Sequence, residues 1–189
     1  MQQDLNRSDA IKSVFAIVIF VLGSRLITIT LLGHPVSFAP MNALALFCGA
    51  YLGARTLAYI LPFAAIVVSD QVINYMFYGS FVPLYPGWYW QYACYALFVA
   101  IGIWFQPNRS ALRIAGVSVA SSLLFYLISN FGVWFSTAIY PPNLGGLEQC
   151  YLMGLPFLRQ AMIADLFFCA LFFGSFELMR LASRRVVTA

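Results

Sequence analysis

Apolar residues run along this chain in long blocks separated by short polar or proline-containing stretches. A helix rising 1.5 Å per residue needs about 20 apolar residues to cross the hydrocarbon of a bilayer. Six segments meet or approach that length: Ile11 to Leu32, Met41 to Gly53, Thr56 to Tyr78, Trp88 to Gln106, Leu112 to Phe135 and Phe157 to Leu181. The second is short for a full span, which leaves it tilted, continued through Arg55, or partly re-entrant. Pro35, Pro40, Pro83, Pro86, Pro107, Pro141, Pro142 and Pro156 fall between segments or at their ends, where a missing N–H does little harm, and only Pro62 falls inside one. The pattern predicts an all-α polytopic membrane protein, a single bundle of six transmembrane helices over residues 1–189 with short tails at 1–10 and 182–189. It leaves room for no soluble domain and shows no internal repeat.

Composition agrees. The chain is 62% hydrophobic and 8% charged, with a mean hydropathy of +0.86, whereas soluble domains carry about 25% charged residues. The aromatic share of 17% suits interfacial belts and helix packing. The net charge of +4 comes from basic residues scattered singly, so nucleic acid is not an expected partner. Cys48, Cys94, Cys150 and Cys169 form no CxxC pair, which argues against a disulfide framework or a zinc site. Lys12 precedes an apolar run without a small-residue cleavage site, and Gly23-Ser24-Arg25 interrupts that run; it reads as an uncleaved first helix.

Orientation follows from the basic residues, because positive flanks are retained on the cytoplasmic side. With both termini inside, Arg7, Lys12, Arg55, Arg109, Arg113, Arg180, Arg184 and Arg185 are cytoplasmic, which leaves only Arg25 and Arg159 toward the outer face of a bacterial inner membrane. Counted along their helices, Arg25 and Asp70 lie about 20 Å and Asn130 about 27 Å from the cytoplasmic ends, and Asp165 about 12 Å from an outer end. All four then occupy the outer half, below connections 33 to 40, 79 to 87 and 137 to 156 that could form a lid. Asn74 is one turn above Asp70, and Trp134 one turn above Asn130, so each pair shares a face.

The richest stretch is Ser129 to Phe168, which joins two apolar segments through a polar, Gly- and Pro-rich connection and carries Asn130, Trp134, Glu148, Arg159 and Asp165. Two readings stay open for the intramembrane charges. Such residues face a bundle interior and pair, so Arg25 and Arg159 could simply neutralise Asp70 and Asp165. Alternatively they line a ligand cavity, to which Asn42, Asn74, Asn130 and Trp134 add neutral recognition groups. Arg159 would begin the last helix, where the dipole favours anions, so it would meet a carboxylate or phosphate there or snorkel to the interface. His34, the only histidine, has no companion at ligand spacing and reads as a loop residue. Neither aspartate context suggests an intramembrane hydrolase, and no nucleophile or phosphate-loop arrangement is present, so no enzyme activity, catalytic residue, metal or cofactor is expected. Ala45, Gly49 and Gly53, like Ala170 and Gly174, have the spacing that lets helices approach closely.

The strings FAPMNALALFCGAYLG (38 to 53), LPFAAIVVSD (61 to 70), LFYLISNFGVW (124 to 134) and YPPNLGGLEQCYLMGLPFLRQAMIADLFFCALFFG (140 to 174) resemble an uncharacterised family of small bacterial membrane proteins. That family is similar, in size, helix number and orientation, to the substrate-capture (S) components of energy-coupling-factor (ECF) transporters. The resemblance implies a six-helix protein that takes a small solute from the outer side and works with a transmembrane scaffold and ATPase subunits. The AxxxA spacing by which such components dock their scaffold is broken here, since Ala16 is followed by Phe20. The expected function is thus binding of a small polar or anionic solute. Arg25 and Arg159 would neutralise it, Asp70 and Asp165 orient them or meet cationic groups, Asn42, Asn74 and Asn130 bond it, and Trp134 stack on it. The alternative is an accessory subunit of a larger, pigment- or lipid-holding membrane complex that uses the charges only as internal pairs.

Overall fold

The computed structural model describes residues 15–25, 27, 40–52, 55–82, 85–105 and 110–187. Arg7, Lys12, His34, Arg109 and the connection at 33–39 lie outside them. Within them the chain is all-α, with no strand among the described residues. The helices are α1 (Phe15–Arg25), α2 (Met41–Tyr51), α3 (Arg55–Tyr78), α4 (Trp88–Trp104), α5 (Ala111–Ser136) and α6 (Leu144–Val187). Three stretches, Thr56–Met76 of α3, Ala111–Ser136 of α5 and Leu144–Leu181 of α6, are long and apolar enough to cross a membrane.

The short second helix is the centre of the molecule. Met41 through Ala50 are all buried, and α2 is packed against α3, α4, α5 and α6. A helix apolar on every side belongs in an interior, and α2 is apolar throughout except for Asn42. Its closest partner is α4, which it approaches through Gly49 and Gly102; a Cβ on Gly49 would stand 2.2 Å from the Val99 carbonyl oxygen, and one on Gly102 2.4 Å from that of Leu46. At the far end of α2, Phe47 meets Phe173 edge-on at 5.3 Å and Tyr51 lies 4.2 Å from Phe176. Tyr51 Oη donates to Glu177 at 3.2 Å, and Arg180 pairs with the same carboxylate.

The structure departs from expectation most at α6. The sequence pattern starts the last helix at Phe157, after a long connection, yet α6 begins at Leu144 and carries Pro156 within it. Two local causes are visible. Asn143 Oδ1 accepts from Gly146 N–H at 2.9 Å, the bond of an N-cap. The second glycine of the pair that reads as a turn serves close packing instead, since a Cβ on Gly146 would sit 2.0 Å from the Pro141 carbonyl oxygen. Arg159 is therefore several turns inside the helix, and the connection shrinks to 137–143. At the other end α6 runs on to Val187, through most of the expected tail. Its 44 residues span about 66 Å, about twice the hydrocarbon thickness of a bilayer.

The α5–α6 hairpin is locked by reciprocal bonds: Tyr126 Oη donates to the Tyr151 carbonyl at 2.7 Å and Tyr151 Oη to that of Leu127 at 2.9 Å. On its other side α5 meets α4, where the Trp90 ring lies against Gly132 and its Nε1 donates to Ser136 Oγ at 3.1 Å. The turn into α4 needs glycine at position 87, whose φ of 83° is left-handed. Ala170 and Gly174 are exposed, and a Cβ on Gly174 would meet nothing within 4 Å among the described residues, so this pair makes no close helix contact there.

Candidate functional site

The end of α1, the starts of α2 and α4, the middle of α5 and the stretch 154–165 of α6 line a cavity of about 310 Å³. Arg25, Asn42, Gln91, Tyr95, Ser122, Ser129, Asn130 and Asp165 supply its polar lining, and Phe125, Tyr126 and Phe157 much of its apolar wall. Four of the eight residues singled out in the sequence, Arg25, Asn42, Asn130 and Asp165, are thus brought together.

Asp165 is the best-held group in the site. It is 1% exposed, and its Oδ2 accepts from Asn42 Nδ2 at 2.8 Å and from Ser122 Oγ at 2.6 Å. These bonds tie α2, α5 and α6 together at one carboxylate oxygen. The contribution of α2 depends on its first turn, which puts Asn42 at the end of an otherwise apolar rod and aims its amide at α6. Ser122 also donates to the Ser118 carbonyl at 3.2 Å, so its hydroxyl is shared between its own helix and the carboxylate.

Arg25 does not reach Asp165. One terminal nitrogen lies 2.7 Å from Asp70 Oδ1 and the other donates to Ser69 Oγ. Ser69 in turn donates to the Ile66 carbonyl at 3.0 Å, so α1 is fastened to α3 by an ion pair and a relayed bond. Arg25 and Asp70 are thus paired, as the pairing reading expects, while Arg25 also borders the cavity that Asp165 lines.

The other named residues fall elsewhere. Asn74 Nδ2 and Gln71 Nε2 both donate to the Val82 carbonyl at 3.1 Å, so Asn74 holds the turn after α3 and does not line the cavity. Trp134 shares a face with Asn130, but its indole N–H donates to the Pro141 carbonyl at 2.9 Å and closes the α5–α6 corner outside the cavity. Arg159 and Glu148 are exposed and lie outside the cavity lining. Asn130 is turned by its own helix, donating to the Tyr126 carbonyl at 2.8 Å. The small residue opposite makes room for it, since a Cβ on Gly154 would fall 2.5 Å from Asn130 Oδ1.

Sequence reasoning missed Gln91, Tyr95, Ser122 and Ser129. Tyr85 Oη donates to Gln91 Oε1, and Gln91 Nε2 donates to Tyr95 Oη at 3.0 Å, a chain running from the loop before α4 to the cavity wall. Gln91 was legible as the single amide in the first turn of an apolar helix. Tyr95 was hidden among the aromatic residues, and serines in an apolar helix read as packing residues because they can satisfy themselves on their own backbone. Among the described residues no group of three or more His, Cys, Asp or Glu side chains could hold a metal ion.

No curated protein and no solved structure matches this sequence. A family match covers residues 6–187, so every helix and every cavity residue described above falls inside it: the chain belongs to the family described as "Family of unknown function (DUF6580)".

Proposed function

We propose that the protein is a multi-pass inner-membrane protein that binds a small polar solute in this cavity, in the manner of a transport or capture subunit. The observation that carries the reading is Asp165. Burying a carboxylate is costly, and a helix bundle that needed only an interior would fill the position with leucine. Here the carboxylate is held by two neutral donors at the edge of a 310 Å³ space, with its second oxygen taking neither bond. A volume of that size is at the lower end for small-molecule sites, and an aromatic wall with a few convergent polar groups is their usual lining.

In this reading all six helices cross or enter the membrane, both termini are cytoplasmic, and the cavity opens toward the outer face. The basic residues support that orientation. The likeness to ECF S components supports a role beside a transmembrane scaffold and ATPase subunits. Cys150 is buried and cannot report the topology, but Ile139, in the 137–143 turn, is 70% exposed. Ile139→Cys should label with an impermeant thiol reagent in intact spheroplasts, against a low background because all four native cysteines are buried. Labelling only after lysis would invert the orientation.

The function itself is tested by mass spectrometry of small molecules released from the purified protein. Wild type should release a solute, and Ala161→Trp, which puts a large ring at the cavity wall, should fold and release none. If wild type releases nothing, or the filled variant releases the same molecule in the same amount, the cavity is not a solute site and the accessory-subunit reading takes its place.

A further inference from the structure

Of the two arginines expected to meet a ligand's negative charge, Arg25 borders the cavity but is committed to Asp70 and Ser69, and Arg159 is exposed outside the cavity. The charged groups on the cavity are thus Arg25, already paired with Asp70, and Asp165. Among the described residues the ion pairs are Arg25–Asp70 and Arg180–Glu177, and Arg113 sits 4.8 Å over the Trp104 ring, so no described cation neutralises Asp165. Asn42 and Ser122 stabilise the carboxylate as hydrogen-bond donors but leave its net charge in place.

The walls have the complementary chemistry. Tyr95, Phe125, Tyr126 and Phe157 line the same cavity, and aromatic faces attract cations. Tyr95 and Phe125 are held against each other at 5.8 Å between ring centroids, so this wall is built before any ligand arrives. An anion would have to approach an uncompensated carboxylate across aromatic faces. A neutral polar solute would find hydrogen bonds but would leave the carboxylate unneutralised.

We infer that the solute is a small organic cation, a protonated amine or positively charged nitrogen ring, with Asp165 as its counter-ion and the aromatic wall around it. This narrows the proposed function and rests on the cavity being a solute site. Two devices keep the protein's own positive charge from taking the cation's place. The Arg25–Asp70 pair keeps the guanidinium on the cavity wall occupied, and the two neutral donors on Asp165 keep its carboxylate in place without cancelling it.

Benzylammonium, benzyl alcohol and benzoate share one ring and differ in charge, and their binding to the purified full-length protein can be compared by calorimetry. Benzylammonium should bind at least about tenfold more tightly than benzyl alcohol, with benzoate weakest, a preference of one decade in the dissociation constant. Asp165→Asn retains a carbonyl for Asn42 and Ser122 and should keep the melting temperature near wild type while reducing the preference to about twofold. Phe157→Leu, which leaves the carboxylate intact and removes one aromatic face, should weaken benzylammonium severalfold and benzyl alcohol less.

Equal binding of the three probes, preference for benzoate, or a preference unchanged in Asp165→Asn would overturn the cation assignment. If such binding is still blocked by Ala161→Trp, the solute site stands and only the ligand class falls. If none of the probes binds and nothing is released from wild type, both fall.

Discussion

Arg25→Met should destabilise the protein by about 3 to 5 kcal/mol, the usual result of removing one partner of a buried ion pair and leaving the other charge alone. The Arg25 and Asp70 side chains are only 17% and 11% exposed, so solvent does little to screen the charge that remains. The loss extends beyond the pair, because Ser69 also loses the guanidinium it accepts from, and α1 loses its polar attachment to α3. Arg25→Met combined with Asp70→Leu should recover most of that stability, since removing both charges removes the desolvation cost together with the attraction. Melting temperature in detergent, read across the two single variants and the double, decides the matter. Additive losses would show that the residues act independently. An Arg25→Met protein as stable as wild type but empty of solute would make Arg25 a ligand contact instead of an internal counter-ion.

Much of this architecture was legible from the chain, for reasons that also mark the limit. The bounds of α3, α4 and α5 follow the apolar blocks to within a residue or two, because Ser110, Gly87 and the prolines between segments punctuate them. Asp70 and Asp165 face inward as expected, since a lone carboxylate against acyl chains is too costly to persist. What the chain does not mark is which apolar helix is central. In a soluble protein a polar face identifies the outside, but lipid is as apolar as a core, so MNALALFCGAY could as well have faced the bilayer. The start of α6 was obscured by chemistry of the opposite kind. Gly145, Gly146 and Pro156 carry turn signals, and only the nearness of the Pro141 carbonyl explains why a glycine is required inside a helix there.

The candidate site was half visible for a related reason. A charged residue in an apolar segment stands out, so Arg25, Asp70 and Asp165 could be found, but which carboxylate takes the arginine depends on how the helices rotate against each other. That choice assigns the roles: Asp70 becomes part of the scaffold and Asp165 part of the cavity. The Asn130–Trp134 pair shows the same limit, because one turn of helix places both on one face without saying where that face stops being cavity and becomes the hairpin corner. Side-chain chemistry located the groups, and packing divided their labour.

The largest effect of the smallest change is expected at the α2–α4 crossing. Gly49→Ala adds one methyl group 2.2 Å from the Val99 carbonyl oxygen and 3.0 Å from the Gly102 Cα, so it meets backbone on a facing helix and cannot be relieved by a rotamer change. Overpacking usually costs about 1 to 3 kcal/mol, and the cost rises where surroundings cannot give way. Here α2 is held on its other sides by α3, α5 and α6, so moving away from α4 would compress contacts elsewhere or pull Asn42 off Asp165. Gly49→Ala should therefore cost at least about 3 kcal/mol, and Gly102→Ala a similar amount, since its methyl would meet the Leu46 carbonyl at 2.4 Å. The two together should be no better than either alone. Gly116→Ala and Gly174→Ala are the internal controls: a Cβ at either meets nothing within 4 Å among the described residues, and alanine in a helix gains about 0.5 to 1 kcal/mol over glycine. Melting temperatures in detergent should fall for the first two variants and hold or rise for the second two. A Gly49→Ala protein that melts with wild type would mean that α2 and α4 do not cross at these glycines, and that α2 is not the axis of the bundle.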